Sequence, residues 1–108
     1  MSAEHQQFLY LTTTGRKTGK PHKIEIWFVA LDGKYYLVSE HQDRSNWVQN
    51  VKNDPKISFT VGKDTYRGRG RIIDRKNESE LAAKITALMN AKHKWSEGLI
   101  VELAPARS

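Results

Sequence analysis

Thr12-Thr13-Thr14-Gly15-Arg16-Lys17-Thr18-Gly19-Lys20-Pro21-His22-Lys23-Ile24-Glu25-Ile26-Trp27-Phe28 is the stretch on which the fold turns. Just before and into it, Phe8 to Thr13 supplies β-favouring side chains and reads as a strand. Gly15, Gly19 and Pro21 then punctuate a loop. From His22 to Ala30 the residues alternate with period two: Ile24, Ile26, Phe28 and Ala30 share one face, and Lys23, Glu25, Trp27 and Val29 the other. The first face is expected in a core. The second mixes charge with a large aromatic, as where a sheet meets a ligand or a partner subunit rather than bulk water.

Working outward, Leu31-Asp32-Gly33-Lys34 carries the Asp-Gly hairpin signal, with Tyr35 to Ser39 as the return strand. Asp43 or Ser45 is placed to cap a short helix with Trp47, Val48 and Val51 on one side, stopped by Asn53-Asp54-Pro55. Lys56 to Val61 alternates again, with Ile57, Phe59 and Val61 inward, and Gly62-Lys63-Asp64 turns the chain back. Thr65 to Ile73 sets Tyr66, Gly68, Gly70 and Ile72 on one face and Thr65, Arg67, Arg69, Arg71 and Ile73 on the other. Alternate glycines let a sheet coil tightly or let another backbone come close, which favours a closed barrel. Asn77 with Glu80 forms a capping-box variant ahead of a helix with the stripe Leu81, Ile85, Leu88 and Met89, reaching to about His93. Leu99, Val101 and Leu103 make a final strand. The expected fold is mainly β (α+β): a barrel of about six antiparallel strands with a short helix and one longer amphipathic helix, as one domain over residues 1–108.

Composition limits the chemistry. The chain has 108 residues and 38% hydrophobic content, enough for one core. It has no cysteine, which excludes disulfides, thiolate metal sites and thiol nucleophiles. No run of about 18 apolar residues and no leader pattern occur, so a cytoplasmic protein without a membrane span is expected. The net charge of +6 favours anionic partners, and the cations cluster at Arg16 to Lys23 and at Arg67, Arg69 and Arg71.

Within the loop, Thr14, Arg16, Lys17, Thr18 and Lys20 supply the hydroxyls and cations that, with turn N–H groups, can hold a phosphate. An ordinary solvated turn has the same composition, and both readings stand. The spacing is not that of a P-loop. The arginine row could track a nucleic-acid backbone, but a solvated face interleaved with carboxylates is the commoner arrangement, and no nucleic-acid partner is expected. His5, His22, His41 and His93 show no metal-ligand spacing, so no metal is expected. Ser39, His41 and Asp43 compose a triad only on paper, without a nucleophile elbow.

The block Leu11 to His22 closely resembles the deazaflavin-dependent nitroreductase and quinone reductase family, whose split β-barrels are related to FMN-binding split barrels. Three further blocks fit it: Ile26 to Val29 with Asp32-Gly33, Ser45 to Asn50 followed by Asp54-Pro55, and Thr65 to Gly70. Together they cover about residues 8 to 74. The resemblance implies a homodimeric oxidoreductase that uses reduced deazaflavin (coenzyme F-420), with FMN as the alternative. It would pass hydride to a small-molecule electron acceptor: a quinone, nitro compound or activated alkene. It places the anionic cofactor tail at Arg16, Lys17, Lys20 and Lys23, with hydrogen bonds from Thr14 and Thr18. The ring falls near Trp27, Ser39 and the loop running to Trp47, with Arg44 and Ser45 where flavin relatives hold phosphate. Ser39, Tyr35 and Tyr36 are the candidate proton donors. The chain departs from the family pattern in its compact Glu40 to Arg44 loop and in Lys23 and Glu25, where family members often carry apolar residues. A carrier without catalysis and a basic nucleic-acid-binding barrel are the readings from other classes.

Overall fold

The computed structural model describes residues 7–40, 44–94 and 98–106. Seven strands and two helices follow in the order β1 (Phe8–Thr14), β2 (Pro21–Trp27), β3 (Val29–Leu31), β4 (Lys34–Ser39), α1 (Asn46–Asn53), β5 (Lys56–Val61), β6 (Asp64–Ile72), α2 (Ser79–His93) and β7 (Leu99–Pro105). All pairings are antiparallel, in the spatial order β2-β1-β5-β6-β7-β4-β3. The two edge strands, β2 and β3, are separated in the chain by Phe28 alone. One residue spans only about 3.8 Å between successive Cα atoms, so the two ends of the sheet must meet and the sheet must curl into a barrel split at Phe28.

That break corrects the single run expected over His22 to Ala30. Phe28 and Val29 are both buried and Ala30 is exposed, so the alternation changes phase where the chain leaves β1 for β4. Hence seven strands rather than about six. The Asp32-Gly33 turn forms as expected, with φ of 52° and 78°.

Inside the barrel, Leu9, Leu11, Phe28, Leu37, Phe59, Val101 and Leu103 pack with Val48 and Val51 of α1, which closes one end. Outside it, α2 lays Ala82, Ile85 and Met89 on Tyr36, Val38, Ile73 and Ile100. β4 and β7 are therefore buried on both faces, and β7 is buried from Ile100 to Leu103. An added Cβ on Gly68 would collide with the Ala104 carbonyl, and one on Gly70 would lie 2.8 Å from Val51 Cγ1. These are the close approaches that alternate glycines permit.

Two local expectations change. Asn77 does not cap α2: its Nδ2 donates to Asp74 Oδ2 at 2.7 Å, while Asp74 Oδ1 accepts from Lys76 N at 2.9 Å and Glu78 occupies the cap position without a side-chain bond to the helix's first N–H groups. The aspartate, whose short carboxylate reaches the next N–H groups, organises this turn. Leu88 is 37% exposed, because the buried stripe runs Ala82, Ile85, Met89. Asp43 lies outside the described residues. Ser45 is the cap residue of α1, but its hydroxyl is turned to Ser39. Among the described residues, no helix is long and apolar enough to cross a membrane.

Candidate cofactor-binding groove

The loop after β1 is a compact turn. Gly15 N donates to Lys20 O and Gly19 N to Gly15 O, each at 2.8 Å, and Gly19 holds φ of 72°, which a side chain would strain. The turn is fastened to α1 by a buried amide. Asn50 Nδ2 donates to Thr13 Oγ1 at 3.0 Å, and Asn50 Oδ1 accepts from Arg16 N at 3.1 Å. Asn50 is 4% exposed, so these bonds offset the cost of burying it.

Beside the turn lies a cavity of about 460 Å³ lined by Gly15, Arg16, Lys17, Thr18, His22, Lys23, Ile24, Asn46, Trp47 and Asn50. Neither Arg16 nor Lys17 has an ion-pair partner among the described residues. The next cleft, of about 540 Å³, is lined by Phe8, Glu25, Ile26, Trp27, Val38, Ser39, Glu40, Ser45 and Trp47. Trp47 lines both, so a cationic pocket and an aromatic slot adjoin at its side chain. Ser39, 2% exposed, sets its hydroxyl 2.8 Å from that of Ser45 at the slot's floor. Trp27 walls the slot beside Phe8, their ring centres 6.5 Å apart.

The structure thus gathers Arg16, Lys17, Thr18 and Lys23 in one cavity, and Trp27, Ser39, Ser45 and Trp47 in the next. Lys20 is exposed and lends its backbone to the turn; Arg44 is exposed and lines neither space. Thr14 faces a third cavity of about 640 Å³ with Lys56, Arg67 and Arg69. Tyr35 sits inside the barrel against Phe59 and Tyr66, where burial and then the Tyr66 hydroxyl push its pKa up. Tyr36 faces α2 and donates to Glu102 at 3.0 Å; burial first, then Glu102, hold it far above the ordinary phenol range. Neither tyrosine lines the slot. Asn50 escaped the sequence reading, although a polar residue between Val48 and Val51 on an apolar helix face was the available signal. Arg71 of the arginine row is held by carboxylates, Glu78 at 2.7 Å and Glu102 at 3.2 Å.

The profile of the F420H(2)-dependent quinone reductase family matches residues 2–98. The chain belongs to that family. Family membership makes it an oxidoreductase whose cofactor is the deazaflavin F420. Among solved structures, an F420-H2 dependent reductase (FDR-A) is 25% identical with a TM-score of 0.62, covering 90% of this chain and 93% of its own. The heme storage protein HutZ of Vibrio cholerae is 16% identical with a TM-score of 0.80, covering 98% and 86%, a likeness of split-barrel fold alone. A chain described as a domain-swapped dimer is 24% identical with a TM-score of 0.63, covering 90% and 79%. No curated protein gives a significant match. For an F420-dependent reductase the donor set fits: cations without ion-pair partners among the described residues for an anionic tail, then two indoles and two hydroxyls for a flat ring.

Proposed function

We propose that this F420-dependent reductase reduces a quinone, nitro compound or activated alkene in the slot between Trp27 and Trp47, with the cofactor tail held in the cavity beside the Gly15–Lys20 turn. The adjacency of the two spaces at Trp47 carries this reading. Arg16, Lys17 and Lys23 supply charge to the tail, with hydrogen bonds from Thr18. Thr14, Lys20 and Arg44 stand away from both spaces and are assigned no contact. Asn50 keeps the Arg16 N–H directed and the turn closed. Trp27 and Trp47 offer indole faces for stacking. The Ser39 and Ser45 hydroxyls stand together at the slot's floor; one donates to the other, so at most one O–H of the pair is left to stabilise charge on a ring edge. When bound in its reduced form, the deazaflavin supplies the hydride. The proton comes from solvent through the open slot or from Ser39, since Tyr35 and Tyr36 do not reach it. A second copy would cover the exposed rim formed by Phe8, Tyr10 and Trp27, so a homodimer is proposed; the dimeric relative is consistent with this.

The test is absorption titration of the purified protein with deazaflavin and separately with FMN, then turnover with reduced deazaflavin and a quinone or nitroaromatic. Saturable deazaflavin binding and acceptor-dependent reoxidation are expected. Binding of FMN alone, or binding without turnover of any of the three acceptor classes, would contradict the proposal.

A further inference from the structure

The far end of α2 reaches the slot through one side chain. His93, the last residue of α2, lays its imidazole flat against the Trp27 indole, with ring centres 4.8 Å apart and planes 4° from parallel. Its Nε2 lies 3.0 Å from the Phe28 carbonyl oxygen. A carbonyl only accepts, so Nε2 carries the proton and donates. The adjoining Lys92 sets its Nζ 3.9 Å from the centre of the Phe28 ring. One turn of helix therefore grips both residues at the seam where β2 gives way to β3.

Trp27 lines the slot and His93 does not, so the imidazole backs the indole from outside. Trp27 ends an edge strand and is 38% exposed. An indole at such a place has several rotamers open to it unless something packs against its face. The imidazole does this, and its bond to Phe28 fixes the imidazole in turn.

We propose that His93 is a positioning residue: stacked behind Trp27 and bonded to the Phe28 carbonyl, it fixes the indole as the wall against which the cofactor or acceptor ring lies. This rests on the assignment of the slot as the ring site. The remote helix thereby sets the shape of a pocket it does not enter. Burial, and next to it the charge of Lys92, lower the His93 pKa, while the Phe28 carbonyl works in the opposite direction. Among the described residues Lys92 is the charged group acting on it, from α2 itself, while β2 contributes the indole and the junction between β2 and β3 the carbonyl. The stacked ring is thus neutral at neutral pH, and acidification places a charge against the indole.

The test uses the full-length chain labelled with nitrogen-15 and no added ligand, with the Trp27 indole signal assigned by its loss in Trp27→Phe. Between about pH 8 and pH 5 this signal is expected to titrate in the native protein with a midpoint below the ordinary 6.5 of histidine, and to stay flat in His93→Phe. An equal response in His93→Phe, or none in the native protein down to the acid limit of its folded state, overturns the proposal. Deazaflavin affinity gives a second readout: His93→Ala is expected to weaken it about tenfold, His93→Phe to restore it to within about threefold, and His93→Gln, which keeps a donor but loses the stack, not to restore it. Equal affinity in the Phe and Gln variants overturns the proposal as well, and that pair decides the matter if the alanine variant does not fold. If the native protein binds no deazaflavin, the cofactor reading fails, while the indole titration still decides whether His93 positions Trp27.

Discussion

Two of the polar side chains buried beside the helices, Asn50 of α1 under the Gly15–Lys20 turn and Glu102 of β7 on the side facing α2, are both 4% exposed and treat their surroundings differently. Asn50 is neutral and spends its bonds on Thr13 and on the Arg16 backbone, leaving the nearby guanidinium and Lys17 without ion pairs among the described residues. Glu102 is charged and absorbs what surrounds it: Arg71 at 3.2 Å, the Tyr36 hydroxyl at 3.0 Å and, more distantly, Lys34 at 3.8 Å. A buried carboxylate is tolerated only when paired, so the cations around it are committed to structure. A buried amide makes no such demand, and the cations around it are available to a ligand. The distinction separates arginines that sequence alone lists together as basic.

The largest effect should come from breaking the charged side. Arg71→Ala leaves the Glu102 carboxylate inside without its guanidinium, and a loss of about 3 kcal/mol in unfolding free energy is expected by denaturant titration, the low end for a buried pair because Arg71 is half exposed. Deazaflavin affinity should not change. Next, Asn50→Asp keeps the shape and the acceptor for the Arg16 N–H but loses the donor to Thr13 and adds an unpaired buried anion to the cavity, so affinity should fall about tenfold or more, with a stability loss of about 2 kcal/mol. Loss of stability without loss of affinity would erase the contrast between the two faces.

The smallest expected effect is in pH dependence. Because the folded-state pKa of His93 lies below its unfolded value near 6.5, the unfolded chain takes up a proton first on acidification. Stability from the neutral imidazole is therefore full above about pH 6.5 and is lost as pH falls through the lower folded value. Melting temperatures of His93→Phe should fall less across that interval than those of the native chain; parallel curves would show that the imidazole is not desolvated.

The sequence made the strands legible wherever one face is buried, as in Lys56–Val61, where Ile57, Phe59 and Val61 point inward as the alternation requires. It was least legible where one strand changes partners. Trp27-Phe28-Val29 is a run of apolar residues in which alternation carries no phase, and only pairing with β1 on one side and β4 on the other reveals the break. The α2 stripe holds at Ile85 and Met89, with Leu81 packed at its edge; it differs in that Ala82, small enough to bring the helix close to the sheet, is buried while the larger Leu88 is exposed. In the groove, the cations of the loop and the slot residues Trp27, Ser39, Ser45 and Trp47 could be named from motif resemblance. Asn50 shows in the sequence only as a polar residue on an apolar helix face and His93 by no local pattern, because their roles consist of long-range contacts to Thr13, Arg16, Trp27 and Phe28.

The division between structural and available cations is tested most directly by titrating deazaflavin into the native protein, Arg16→Glu and Arg71→Ala, all below their melting transitions, and following absorbance. Charge reversal at Arg16 should weaken binding on the order of 100-fold, while loss of Arg71 should leave it within about twofold. Equal affinity for the native and Arg16→Glu proteins, or an equal loss in both variants, would contradict the assignment of the Gly15–Lys20 cavity as the anchor for the cofactor tail.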